Sequence, residues 1–136
     1  MAKRKIAGSV DTNILLRYLL NDVPDQSKKI DKVLGDGVVL SVSDVVVSEA
    51  VFVLEKVYDL GRDVIVQNLH LIATHPQFVC NRPLWSEVVK LYENEASLSV
   101  VDCMALVYAR LNKHTPLYSF DKQLIKKAEG DCVAPK

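Results

Sequence analysis

The stretch VDTNILLRYLL, residues 10–20, joins a segment typical of a buried strand to one typical of a helix. The short apolar run 6–10 is bounded by a polar turn, as buried strands are, and residues 12–20 have the pattern of a helix. Asp11 lies at the junction, where a carboxylate can cap the helix or bind a metal ion. One residue does not separate these two interpretations, so the rest of the chain has to decide between them.

Strand-like and helix-like segments alternate along the remaining sequence. This alternation predicts an α/β fold with a mainly parallel central sheet covered by helices on both faces. Ligands in such folds bind beyond the carboxyl ends of the strands, where Asp11 and Asp121 are expected. The further strands are predicted at residues 38–43, 77–80, 116–119 and 132–134, and the further helices at 24–34, 45–58, 64–73, 84–94, 98–111 and 122–128.

Length and composition limit the classes of protein that the chain can represent. With 136 residues, about half of them apolar, we expect a single domain over residues 1–136. Seventeen basic residues balance seventeen acidic ones, which argues against a polybasic nucleic-acid-binding protein. An enzyme that holds nucleic acid through metal ions and a local basic rim remains compatible with this balance.

The cysteines and the apolar segments predict a cytoplasmic protein. Cys80, Cys103 and Cys132 lie far apart without a CxxC pair, so neither a disulfide framework nor a zinc site is expected. The apolar part of the start is too short for a signal peptide. Residues 64–81 lack formal charges but are too polar to cross a membrane, so we expect no membrane association.

Two carboxylates occur where a helix would be expected to present apolar residues. Glu49 lies among valines and Phe52 in the segment 45–54, and Asp102 is the only charge between residues 98 and 109. Each would be costly to bury without a partner. Glu49 could instead pair with a buried Arg or Lys, and Asp102 could cap a helix that begins at Cys103. Asp121, like Asp11, could be an ordinary helix cap.

If the four carboxylates form one cluster, they require cations. Two like charges at 4 Å repel by about 4 kcal/mol at an effective dielectric constant near 20. Carboxylates are hard oxygen ligands that favour Mg²⁺ or Mn²⁺ over zinc or copper. Such a site can bind water and phosphate oxygens, and it favours hydrolysis of phosphodiester bonds.

Four short motifs carry a resemblance to a known family. VDTNILLRYLL, SEAVFVL (48–54), VVDCMALVYAR (100–110) and YSFDKQL (118–124) resemble, in order and spacing, the acidic motifs of PIN-domain ribonucleases. The chain is most similar to the VapC-type toxins of toxin–antitoxin pairs. The resemblance implies a PIN-like three-layer α/β/α sandwich, a homodimer, and an antitoxin protein that occludes the site.

The resemblance also implies roles for individual residues. Asp11 and Asp102 would hold the main Mg²⁺ or Mn²⁺ ion, Glu49 would help to hold it and orient water, and Asp121 would complete the site. The residues expected to orient these groups are Thr12, Asn13 and Ser119, and the candidates for RNA-phosphate contacts are Arg17, Arg82, Arg110 and Lys122.

One position departs from the family pattern. The family often carries an additional acid before the third motif, where this chain has Ser97 and Ser99, with Glu95 slightly earlier. Whether one or two metal ions bind is therefore left open.

The resulting hypothesis is a Mg²⁺-dependent endoribonuclease that cuts single-stranded or loop RNA. One alternative is a non-catalytic PIN-like module that binds a protein or RNA. Another is a phosphoryl-transfer regulator with Asp11 as the nucleophile, which the absence of an obvious catalytic lysine at a strand end disfavours.

Overall fold

The computed structural model describes residues 5–136 and contains two compact units, Met1–Asn81 and Arg82–Lys136. Residues 1–4, which include part of the basic start considered for a signal peptide, lie outside the described residues. Each unit has its own secondary structure and its own buried side chains. The single domain expected from the chain length remains a prediction.

Unit 1 contains a parallel three-stranded sheet in the order β1-β2-β3. Helices α1 and α3 pack against each other, and α2 contacts α1. Its elements in chain order are β1 (Ile6–Ser9), α1 (Thr12–Leu20), α2 (Pro24–Gly35), β2 (Val39–Ser41), α3 (Asp44–Lys56), α4 (Arg62–Thr74) and β3 (Phe78–Val79).

Unit 2 is built on a pair of helices and a short parallel strand pair. The two helices α5 and α6 form the main packing contact of the unit, and β4 pairs with β5. Its elements are α5 (Arg82–Asn94), α6 (Val100–Leu111), β4 (Leu117–Tyr118), α7 (Lys122–Lys127) and β5 (Cys132–Val133).

The predicted parallel pairing is confirmed, because every strand pair in residues 5–136 is parallel. The predicted helices are present, and α1 has the predicted bounds. The chain turns after α2 at a glycine: Gly37 follows the C-cap Asp36 with φ of 77°, a conformation that glycine adopts without steric cost.

The buried side of α5 follows from its helical spacing. The spacing of Trp85, Val88, Val89 and Tyr92 places them on one side of a helix, and all four are buried. From α6, Cys103 and Leu106 are fully buried in the same unit. Burial of apolar surface contributes about 25 cal/mol per Å², so the packing of this helix pair stabilises unit 2.

The prediction that β1 is a buried strand is wrong. All four of its residues are exposed, and Ile6 retains 46% of its accessible surface. The physical reason is its place in the sheet: β1 pairs with β2 alone in the described residues, so it is an edge strand. Val39 of the central strand β2 is buried, as is Val10 directly after β1.

Across residues 5–136, no helix combines the length and the apolar character needed to cross a bilayer.

Candidate active site

Asp11 is placed by the start of α1. Its carboxylate Oδ1 accepts a hydrogen bond of 2.9 Å from the backbone N–H of Ile14, which makes Asp11 the N-cap. In the described chain its Oδ2 has no hydrogen-bond partner, and the residue is exposed. The cap therefore fixes the position of the carboxylate and leaves one oxygen for a ligand.

A groove in unit 1 opens beside Asp11. It has a volume of about 790 Å³ and is lined by residues of α1, α2, the end of β1 and β2. Asn13 and Arg17 contribute to the lining, whereas Thr12 does not and is half-buried. Asn13 is thus on the same side as Asp11, as its predicted orienting role requires.

Asp121 is placed in the same way by the start of α7. Its Oδ1 accepts a 2.8 Å hydrogen bond from the backbone N–H of Leu124, and its own N–H donates to Ser119 Oγ at 3.0 Å. Ser119 therefore orients the backbone of Asp121 rather than its carboxylate. Burial raises the pKa of the Cys132 thiol, and the negative charge of Asp121 raises it further.

Asp102 belongs to a capping box at the start of α6. Ser99 is the N-cap: its Oγ accepts from the N–H of Asp102, and Asp102 Oδ2 accepts from the N–H of Ser99, both at 3.1 Å. The alternative in which Asp102 caps a helix beginning at Cys103 is wrong, because α6 already begins at Val100. Asp102 is half-buried, one turn before the fully buried Leu106.

Glu49 lies in the middle of α3 and is exposed. Its placement on a core face was wrong, because its neighbours Val45 and Phe52 are 71% and 59% exposed. The reason is that α3 is apolar on several sides, so apolar neighbours do not identify the side that is buried. The buried residues of α3 are Val47, Ala50, Val51 and Leu54.

The ion pairs of the described chain involve other carboxylates. They join Arg17 to Asp22, Lys90 to Glu87, Arg110 to Asp131 and Lys127 to Glu95. Within residues 5–136, none of the four candidate carboxylates pairs with Lys, Arg or His. The structural alternative that gave Glu49 a buried cation is therefore not observed. Glu95, the acid that lies slightly before the third motif, is paired with Lys127.

The four candidate carboxylates divide between the two units. Asp11 and Glu49 belong to unit 1, and Asp102 and Asp121 belong to unit 2. In residues 5–136 no group of three or more His, Cys, Asp or Glu side chains is arranged to hold a metal ion. A common four-carboxylate site therefore remains a prediction. The donor chemistry of the four candidates fits Mg²⁺ or Mn²⁺, because all four are carboxylates that form no ion pair within residues 5–136.

The basic candidates fall into two classes. Arg17 donates to Asp22 at 3.0 Å and to the Tyr58 hydroxyl at 3.0 Å, and the bond to Tyr58 is the main reason that its pKa is raised. Arg110 donates to Asp131 and to a backbone carbonyl. Arg82 and Lys122 are exposed and form no ion pair within the described residues, so they stay available for phosphate.

Sequence reasoning missed two features of these sites. The Ser99–Asp102 capping box has a local signature, a serine three residues before an acid, that could have been recognised. The contact of Arg17 with Tyr58 spans 41 residues and has no local signal. The capping box therefore depends on neighbouring residues of one helix, whereas the Arg17–Tyr58 contact depends on tertiary packing.

Comparison with known proteins adds one match. The family model of the PIN domain matches residues 9–130, which include all four candidate carboxylates. No curated protein and no solved structure matches the chain significantly.

Proposed function

The chain belongs to the PIN domain family, and from this premise we propose that it is a divalent-metal-dependent endoribonuclease that hydrolyses RNA phosphodiester bonds. PIN domains are generally nucleases that use divalent metal ions. The match confirms the α/β fold class. The seven helices and the parallel strands of residues 5–136 are consistent with the predicted three-layer α/β/α sandwich.

The observation that carries the proposal is the state of the four carboxylates. Asp11 and Asp121 are N-caps, Asp102 is in a capping box, and Glu49 is exposed on a helix surface. Backbone N–H groups fix the first three without neutralising them, and none of the four is in an ion pair within residues 5–136. Oriented carboxylates without a protein cation are suited to binding an external one.

Each residue has a role in the proposal. Asp11 and Asp102 would hold the metal ion, Glu49 would help to hold it and orient the attacking water, and Asp121 would complete the site. The bound ion would polarise the phosphate and lower the pKa of water. Asn13 orients groups near Asp11, Ser119 fixes the backbone of Asp121, and the exposed Arg82 and Lys122 contact RNA phosphates.

The proposal also includes a biological role for the nuclease. The resemblance of the four motifs to VapC-type proteins supports a toxin of a toxin–antitoxin pair, active as a cytoplasmic homodimer. A small protein encoded beside this chain should bind it and inhibit cleavage. Co-purification of the two proteins, followed by an RNA cleavage assay of the complex, measures both properties.

The decisive experiment is cleavage of a panel of single-stranded and hairpin RNAs with Mg²⁺, Mn²⁺ or EDTA. We expect metal-dependent products with 5′-phosphate and 3′-hydroxyl ends. Asp11→Asn should abolish cleavage, because the amide keeps an oxygen that can cap α1 but removes the charge. Asp25→Asn is the matched control, since Asp25 is an exposed acid in the first turn of α2.

Three results would contradict the proposal. RNA binding without metal-dependent cleavage would favour a non-catalytic PIN-like module. Cleavage that persists undiminished in Asp11→Asn would show that the activity does not come from the candidate site. Acid-labile phosphorylation of Asp11 would instead favour the phosphoryl-transfer alternative.

A further inference from the structure

Two aromatic rings are exposed directly before Asp121. Phe120 is 81% exposed, the highest value among the large apolar side chains of the described residues, and Tyr118 is 67% exposed. Tyr118 is the last residue of β4, and Phe120 lies two residues beyond it, directly before Asp121. The half-buried Ser119 lies between them. Together the two rings form an exposed aromatic pair at the end of β4.

The backbone that carries these rings is held in place. The N–H of Ser119 donates to the carbonyl of Val133 at 3.0 Å, and the N–H of Asp121 donates to Ser119 Oγ at 3.0 Å. The Asp121 carboxylate is in turn fixed by the N–H of Leu124 at 2.8 Å. Phe120 is therefore presented to solvent from a segment that is hydrogen-bonded on both sides. Because this backbone segment is already ordered, binding a ligand costs it little further conformational entropy.

Charges of both signs follow the rings: the carboxylate of Asp121 comes directly after Phe120, and two lysines of α7 come after it. Lys122 and Lys126 of α7 are exposed and form no ion pair within residues 5–136. An aromatic surface next to cations matches the two parts of a nucleotide, since the base stacks on a ring and the phosphate binds an ammonium group. Bases within a duplex are already stacked on each other, so only an unpaired base can use such a ring.

We propose that Phe120, with Tyr118 beside it, stacks on an unpaired base of the RNA next to the phosphate that is cleaved. This inference rests on the proposed function and adds to it a base-stacking contact made by these two side chains. Phe120 is then a positioning residue rather than a catalytic one, because it contacts a base and not the reacting phosphate. Stacking tolerates every base, so the contact selects unpaired RNA without reading its sequence.

The test compares Phe120→Ala, Phe120→Leu and Phe120→Trp with the wild-type protein. Steady-state cleavage of a short single-stranded RNA in Mn²⁺ gives KM and kcat, and 2-aminopurine in the RNA reports stacking by fluorescence quenching. We expect Ala and Leu to raise KM about fivefold or more, with kcat changed less than about twofold. Trp should keep KM near the wild-type value and should quench 2-aminopurine.

Tyr108→Ala is the matched control. Tyr108 is a 56% exposed aromatic residue of the same unit, six residues after Asp102 on α6. Its replacement should leave KM and quenching unchanged. Since Phe120 and Tyr108 are both exposed, all variants should melt within about 2 °C of wild type, and thermal melts verify this.

The outcomes separate this inference from the proposed function. A wild-type protein that cleaves RNA, with Ala and Leu variants of unchanged KM, overturns the stacking role and leaves the nuclease intact. Equal KM values for the Leu and Trp variants also overturn it, because an aliphatic side chain would then serve as well as an aromatic ring. An effect of Phe120→Ala on protein partner binding alone would assign the pair to a protein interface and overturn the inference. A wild-type protein inactive with every metal overturns the proposed function itself.

Discussion

The charged residues at the two ends of α6 differ in whether they have an ion-pair partner. At the beginning, Asp102 accepts a backbone hydrogen bond from Ser99 and has no ion pair within the described residues. At the end, Arg110 donates to Asp131 at 2.7 Å and to the carbonyl of Ala128 at 2.9 Å. Arg110 therefore has built partners and a structural role, whereas Asp102 is oriented but not neutralised. This difference separates a charge that supports the fold from one that is available to a ligand.

The largest effect is expected for Asp102→Asn. Loss of a principal metal ligand should lower the cleavage rate at least about a hundredfold, since a bound ion contributes several kcal/mol to the transition state. Asn can accept the hydrogen bond from Ser99, so the variant should melt at least as high as wild type in EDTA. RNA cleavage and thermal melts measure the two effects. A marked loss of stability in EDTA with full activity would instead make Asp102 structural, like Arg110.

Metal binding should produce the next largest effect. A ligand that binds only the native state at a hundredfold excess over Kd adds about 2.7 kcal/mol to the free energy of unfolding. The melting temperature should therefore rise with Mn²⁺, rise less in Asp102→Asn, and hardly change with NaCl of equal ionic strength. Equal shifts of the melting temperature with Mn²⁺ and NaCl would indicate screening of charges and would contradict a metal site.

A smaller effect is expected at the opposite end of the helix. Arg110→Ala should lower the free energy of unfolding by about 1–2 kcal/mol, because it removes a partly exposed ion pair and a charged hydrogen bond to a carbonyl. Urea unfolding measures this change. Lys90→Ala is the control: its ion pair with Glu87 is more exposed, so the loss should stay below about 0.5 kcal/mol. If Arg110→Ala has the same free energy of unfolding as the wild-type protein, Arg110 has no structural role and the two ends of α6 do not differ in this respect.

The smallest predicted effect is the dependence of RNA affinity on salt concentration. Arg17 and Arg110 are paired with carboxylates, which leaves Arg82 and Lys122 among the four basic candidates. Two phosphate contacts give a slope of log affinity against log salt of about −1.4 for single-stranded RNA. Filter binding at several NaCl concentrations, with Mn²⁺ held constant and a variant that does not cleave, measures the slope. A slope of about −4, as from six contacts, would show that more cations face the RNA.

Local chemistry explains why much of the fold could be predicted. A helix cap acts over three residues, so Asp11 and Asp121 were recognised as candidate caps from sequence, and both caps are present. The spacing of Trp85, Val88 and Tyr92 likewise defined the buried side of α5. In both cases the interacting groups are neighbours on one turn or one face, and the residue types suffice.

The same reasoning failed for Glu49 and β1 because burial depends on what packs against an element. An apolar segment can be a core face or an exposed surface, and α3 has apolar residues on both. For β1, the apolar run predicted a strand correctly, but only the sheet order placed that strand at an edge.

By itself, the sequence determined the helices, the strands and the four short segments that resemble the family's acidic motifs, because each depends on residues close together in the chain. Only the tertiary structure decided which charges have partners. Arg17 reaches Tyr58 over 41 residues and Arg110 reaches Asp131 over 21. Such pairs depend on how distant segments pack, and a carboxylate at a helix start has the same local sequence whether or not a cation faces it.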